Sequence, residues 1–225
     1  MSTNNAGPRR NRVDPWGDLH AVSGRGLLTG NRGCLVDAGG LVVRHQRGTL
    51  WIACVTELRG RRQPLAAPGR WTPIFFLDEA VALAAGHRPC AYCRRTDYRA
   101  YNQAVARSVG THAPLLASEL NRRLAIERYD GGRGLARAAQ RRTWTAPIDA
   151  LPVGTVIVGP KSTPCLLIAD HLLAFSFDGW IAPSPRPCGG DAMVLTPPTS
   201  LAALSNGYRP LLHPTADAGI GRPLA

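Results

Sequence analysis

Residues 71–95 read WTPIFFLDEAVALAAGHRPCAYCRR, and this stretch decides the fold. Ile74–Phe76 is a short β-rich run. Asp78 follows as an N-cap, with Glu79 in the first turn of a helix over Glu79–Ala85. Gly86 suits the left-handed position that ends such a helix. Arg88-Pro89-Cys90-Ala91-Tyr92-Cys93 then forms a turn, and Thr96 caps a second helix over 97–109. A strand, a helix, a cysteine-bearing turn and another helix predict an α+β fold.

Toward the N-terminus, Leu41-Val42-Val43 and Thr49–Val55 are β-rich runs joined at Arg47-Gly48, which predicts a hairpin within 40–58. Residues 59–70 form an arginine-rich loop carrying Arg59, Arg61, Arg62 and Arg70. Gly24, Gly26, Gly30 and Gly33 punctuate residues 21–33, but neither G-x-G-x-x-G nor a Walker lysine is present, so the segment reads as a plain loop. Residues 1–20, polar and broken by Pro8 and Pro15, read as a flexible basic tail.

Toward the C-terminus, a helix begins at Pro114 and stops before Asp130-Gly131-Gly132. Composition changes near residue 146. Short strands are expected over 155–158, 166–169, 172–177 and 192–195, with a turn at Asp178-Gly179 and a helix near Ser200–Leu204. The expected organisation is a small zinc-stapled β-hairpin/helix domain with a helical extension over 21–145. A small β-rich module follows over 146–213, and a second tail over 214–225.

The 225 residues carry 27 bases against 15 acids, a net charge of +12, and Lys161 is the sole lysine. The excess lies entirely within residues 1–145; residues 146–225 hold 4 bases and 5 acids. This asymmetry points to a polyanion partner for the N-terminal part. The apolar runs are too short to span a bilayer and residues 1–30 lack a signal h-region, so a cytoplasmic protein without membrane attachment is expected.

Six cysteines occupy positions 34, 54, 90, 93, 165 and 188. Cys90-x2-Cys93 is the informative pair, because two intervening residues let one tight turn aim both sulfurs at a tetrahedral ion. Arg88, Arg94 and Arg95 beside it favour thiolates. A redox C-x-x-C is the rival reading, but such a pair opens a helix after a strand, whereas here a helix and Gly86 come first. No nucleophile elbow and no H-E-x-x-H occurs. Trp144, Trp180 and Tyr208 offer stacking faces but are assigned to core packing.

The strand, the DEAVALAAG helix and the HRPCAYC turn resemble the carboxyl half of the metal-binding domain of the Ada family of DNA alkylation-repair proteins. With Cys54 and the Arg61-Arg62 stretch, the resemblance covers about residues 54–97. It implies one Zn²⁺, DNA as partner, and Cys54 in the place of the cysteine that accepts a methyl group from a DNA phosphotriester. The family pairs that cysteine with a second one four residues later, where this chain has Leu58. The expected ligands are therefore Cys54, Cys90, Cys93 and Cys34, with His45 and His87 as alternatives to Cys34. The expected function is a zinc-binding protein that contacts nucleic acid, DNA above all, through Arg59, Arg61, Arg62, Arg70, Arg88, Arg94 and Arg95. An Ada-like repair enzyme with a Cys54 acceptor thiol, and a protein-interaction module, are the alternatives.

Overall fold

In the computed structural model, residues 7–60, 69–131 and 134–218 are described. Strands β1 (Arg12–Val13), β2 (Leu19–His20), β3 (Leu28–Asn31), β4 (Ile52–Val55), β5 (Ile74–Phe76) and β6 (Arg88–Pro89) form one sheet in the order β2-β1-β5-β3-β4-β6. Helix α1 (Glu79–Ala84) lies between β5 and β6; α2 (Arg95–Ser108) and α3 (Ala117–Arg128) follow. Strands β7 (Trp144–Pro147), β8 (Val156–Val158), β9 (Pro164–Leu167), β10 (His171–Ser176), β11 (Gly179–Pro185) and β12 (Asp191–Val194) form a second sheet, ordered β11-β10-β9-β8-β12-β7. Helices α4 (Pro198–Ser205) and α5 (Thr215–Ala218) close the described chain. The fold is α+β, with two sheets and five helices among the described residues.

Helix α1 forms where the sequence placed it. Asp78 Oδ1 accepts a hydrogen bond from Val81 N at 3.0 Å, and Gly86 ends the helix at φ +85°. All six α1 residues are buried, as expected for a helix without a polar stripe.

Three expectations give way. Strand β4 does not pair with residues 41–43. Its partner is β3, with Thr29 opposite Cys54, while 41–43 contributes only a bridge between Val42 and Val36. Gly30 hides β3 in the sequence; yet a Cβ there would come within 2.3 Å of the Phe76 ring, so the strand needs glycine to pack on β5. Nor is all of 1–20 a tail: β1 and β2 lie within 7–20, with Val13 and Leu19 buried. Finally, β7 straddles residue 146, and the main core joins Val13, Leu28, Phe76 and Val81 to Val156, Leu166, Leu173 and Trp180. The two expected modules share one core.

Part of the positive charge lies inside this fold. Arg32, Arg88, Arg94, Arg128, Arg137 and Arg141 are all buried. Arg141 donates to the carbonyls of Ala84, Arg128 and Leu195, tying α1, α3 and the second sheet together. Arg32 and Arg128 set their guanidinium carbons 4.0 and 4.2 Å from the ring of fully buried Trp51. His87 and His45 pack on the same ring, with centroids 4.8 and 5.6 Å away. Arg32 Nε donates to His87 Nε2 at 3.1 Å, and Arg32 Nη1 lies 3.1 Å from His45 Nε2.

Burial, then the charge of Arg32, pushes His45 down to about 2 and His87 well below its ordinary value. Asp18, 3.8 Å from His45, does not reverse this. Both histidines are therefore neutral when folded and take up protons near pH ~6.5 on unfolding. Their contribution to stability is fully present above that pH and lost as pH falls below it. Between about pH 5.5 and about pH 7.5 these two histidines should contribute about 3 kcal/mol to the urea-unfolding free energy, roughly 1.4 each. The raised values of His20, Asp78 and Glu127 act in the opposite sense, so the two histidines are also read directly by NMR: a His45 or His87 resonance that titrates above about pH 5 in the folded protein overturns their share.

Candidate metal centre

Strand pairing assembles the cysteines. β6 runs parallel to β4, with Ile52 beside Arg88 and Ala53 beside Pro89. Cys90 N donates to Ala53 O at 2.9 Å, so one further step along both chains sets Cys90 beside Cys54. The chain then turns: Arg94 N donates to Cys90 O at 3.1 Å, and Tyr92 N to Cys90 Sγ at 3.4 Å. This returns Cys93 to the same point. The sulfurs of Cys54, Cys90 and Cys93 all lie within 4.8 Å of one another. The edge of a tetrahedral zinc–thiolate site is about 3.8 Å. Cys90 is buried, and Cys54 and Cys93 are half-buried.

The three thiols act on each other's protons. Hydrogen bonds from Cys54 and Cys93, with the backbone N–H groups of Cys93 and Tyr92, hold Cys90 well below the usual thiol range. Cys54 is pushed up, chiefly by its hydrogen bonds to Cys90 and Cys93 and then by burial. Cys93 is also raised: Cys54 favours its thiolate, but the hydrogen bond to Cys90 and burial outweigh that. One negative charge is stable on the cluster, and three require a cation. This donor set can hold a metal ion.

None of the three candidates for a fourth ligand joins the cluster. Cys34 donates to Val36 O at 3.6 Å instead. The cause is the register of β3 on β4: Thr29 opposes Cys54 and Asn31 opposes Ile52, so the chain runs away from Cys54 before it reaches Cys34. His45 and His87 are committed to the Trp51 nest. Cys165 donates to Thr163 O, and Cys188 is exposed.

The arginines divide. Arg59, Arg70 and Arg95 are exposed, whereas Arg61 and Arg62 lie outside the described residues. Arg88 and Arg94 do not belong to any surface. Arg88 donates to Asn121 Oδ1 and Pro89 O and stacks on Tyr98. Arg94 grips both oxygens of Glu79 at 2.9 and 2.8 Å and also bonds Asp97. Burial opposes the charge on Arg94, but Glu79 outweighs it and raises the arginine's pKa further.

Glu79 does more than serve the helix N-terminus that the sequence predicts for it. It also accepts from Tyr208 Oη at 2.7 Å and Leu211 N at 2.9 Å, so it anchors the cysteine turn to the C-terminal segment. Its signal was the apolar run on both sides, which buries any acid within it and demands a cation.

A cleft of about 680 Å³ opens beside the cluster, with Cys93, Arg95, Thr96 and Arg209 in its wall. Among the described residues, no helix is long and apolar enough to cross a membrane. Neither family models, curated proteins nor solved structures give a match to this chain.

Replacing Glu79 with Ala leaves Arg94 buried without its carboxylate partner, which should cost about 3–5 kcal/mol in urea unfolding. Adding Arg94→Met should recover part of that loss, because the orphaned charge is gone. Strict additivity of the two changes would show that the pair does not act as one unit.

Proposed function

We propose that the protein binds one Zn²⁺ through Cys54, Cys90 and Cys93, and that the basic edge around this site contacts nucleic acid. The observation that carries the metal reading is the convergence of three sulfurs from two distant segments. Soft thiolates select zinc over hard divalent cations, and zinc accepts tetrahedral sulfur sites without redox chemistry. A divalent ion also removes the obstacle to ionising all three thiols in a half-buried site. The likeness of residues 54–97 to the Ada-type zinc domain supports the same assignment.

The nucleic-acid reading rests on the arginines that remain at the surface near the cysteines. Arg95 lies two residues after Cys93, and Arg59 five residues after Cys54. Both are exposed, as is Arg70. The Ada-like resemblance favours DNA. The burial of Arg88 and Arg94 narrows the surface to these three and to any contribution from the chain between Gly60 and Gly69.

Metal analysis of the purified protein should give one zinc per chain. Cys54→Ser, Cys90→Ser and Cys93→Ser should each abolish it, and Cys34→Ser, Cys165→Ser and Cys188→Ser should leave it intact. Zinc lost with Cys34→Ser, or retained with Cys90→Ser, overturns the assignment. For nucleic acid, DNA affinity should fall steeply with salt, and each of Arg59→Ala, Arg70→Ala and Arg95→Ala should shallow the log–log slope by about 0.9. Binding with a flat salt dependence, or none at low salt, overturns the nucleic-acid reading.

A further inference from the structure

A zinc site of structural type is closed by four protein ligands, whereas an open site has three and keeps one position for water or substrate. This chain supplies three. No histidine, cysteine, aspartate or glutamate among the described residues joins Cys54, Cys90 and Cys93. The residues outside the description, 1–6, 61–68, 132–133 and 219–225, contain none of these four residue types. The usual protein ligands are therefore exhausted.

The cleft beside the cluster shows what could approach a fourth position. Cys90 is the buried member of the triad, and Cys93 reaches the wall of the 680 Å³ cleft. Two exposed arginines, Arg95 and Arg209, line the same cleft. No ion pair or hydrogen bond engages the guanidinium group of either among the described residues. The carboxylates of Glu79 and Asp97 also border the cleft, but both are turned to Arg94. Three thiolates around a divalent ion leave one negative charge. Glu79 and Asp97 against Arg94 leave a second negative charge, so Arg95 and Arg209 bring these surroundings to neutrality, and their unengaged guanidinium groups are the donors in the cleft that an anion can take.

We infer that the three-thiolate metal site keeps its fourth coordination position open to this cleft, where it takes an exchangeable anionic oxygen ligand of the phosphate class, with Arg95 and Arg209 as counter-charges. Coordination displaces a metal-bound water and breaks no covalent bond. The inference rests on the proposed metal site and adds to it that the site is open and selects anions.

The test uses the full chain loaded with Co²⁺ in place of zinc. A thiolate-to-cobalt charge-transfer band reports the metal site, and the d–d bands report its fourth ligand. Titration with inorganic phosphate should shift the d–d bands saturably in the wild type. Arg95→Ala and Arg209→Ala should each weaken that titration by roughly tenfold, with the charge-transfer band unchanged. A full charge-transfer band whose d–d region ignores phosphate would leave the metal reading standing and overturn the open, anion-selecting site. A phosphate shift that both arginine variants leave unweakened would overturn the role of the cleft. Absence of the charge-transfer band would remove the metal site and this inference with it.

Discussion

Two adjacent carboxylates, Asp78 and Glu79, hold this structure together from inside. Asp78 caps α1, accepts the Trp180 indole N–H at 2.6 Å and accepts His213 N at 3.0 Å. Burial raises its pKa in spite of these three donors. Glu79 takes both arms of the Arg94 fork together with Tyr208 and Leu211. One dipeptide thus fixes the start of α1, the exit of the cysteine turn, the second sheet and the C-terminal segment. Buried acids survive only when their lone pairs are filled, and here the partners come from the first turn of α1, the cysteine turn, β11 and the C-terminal segment.

The same logic explains the arginines. A guanidinium carries five donors in a rigid plane, so one buried arginine can satisfy carbonyls at several element ends at once. Arg141 does this for three. Arg32 and Arg128 add stacking on Trp51. A positive balance read from composition therefore overstates the charge offered to a partner. In this chain it counts both a basic surface and an internal scaffold that lysine could not build.

Local signals in the sequence were reliable where residues act through their neighbours in the chain. The α1 cap, its Gly86 stop, the Cys90-x2-Cys93 turn, β5 and most strands of the second sheet follow from patterns spanning a few residues. What escaped was set by distant partners. β3 carries a glycine that only the Phe76 ring explains. The short β1 and β2 become strands because the β5 edge is there to receive them. The choice of Cys34 as fourth ligand failed for the same reason, since it depended on a hairpin whose true partner strand lies elsewhere.

That failure changes what a metal would do here. A zinc staple is expected because the hairpin and the Cys90-x2-Cys93 turn lie far apart in sequence and the loop after the hairpin has little apolar content. In the structure β5 and α1 lie within that interval and supply Ile74, Phe76, Val81 and Ala84 to the main core. Strand pairing already holds β6 at the edge of its sheet beside β4. These core contacts and strand pairings do not pass through the cysteines, so an ion held by Cys54, Cys90 and Cys93 would need no fourth protein ligand to join the segments. A site relieved of that task can face a cleft and exchange its remaining ligand, which a closed four-sulfur staple cannot do.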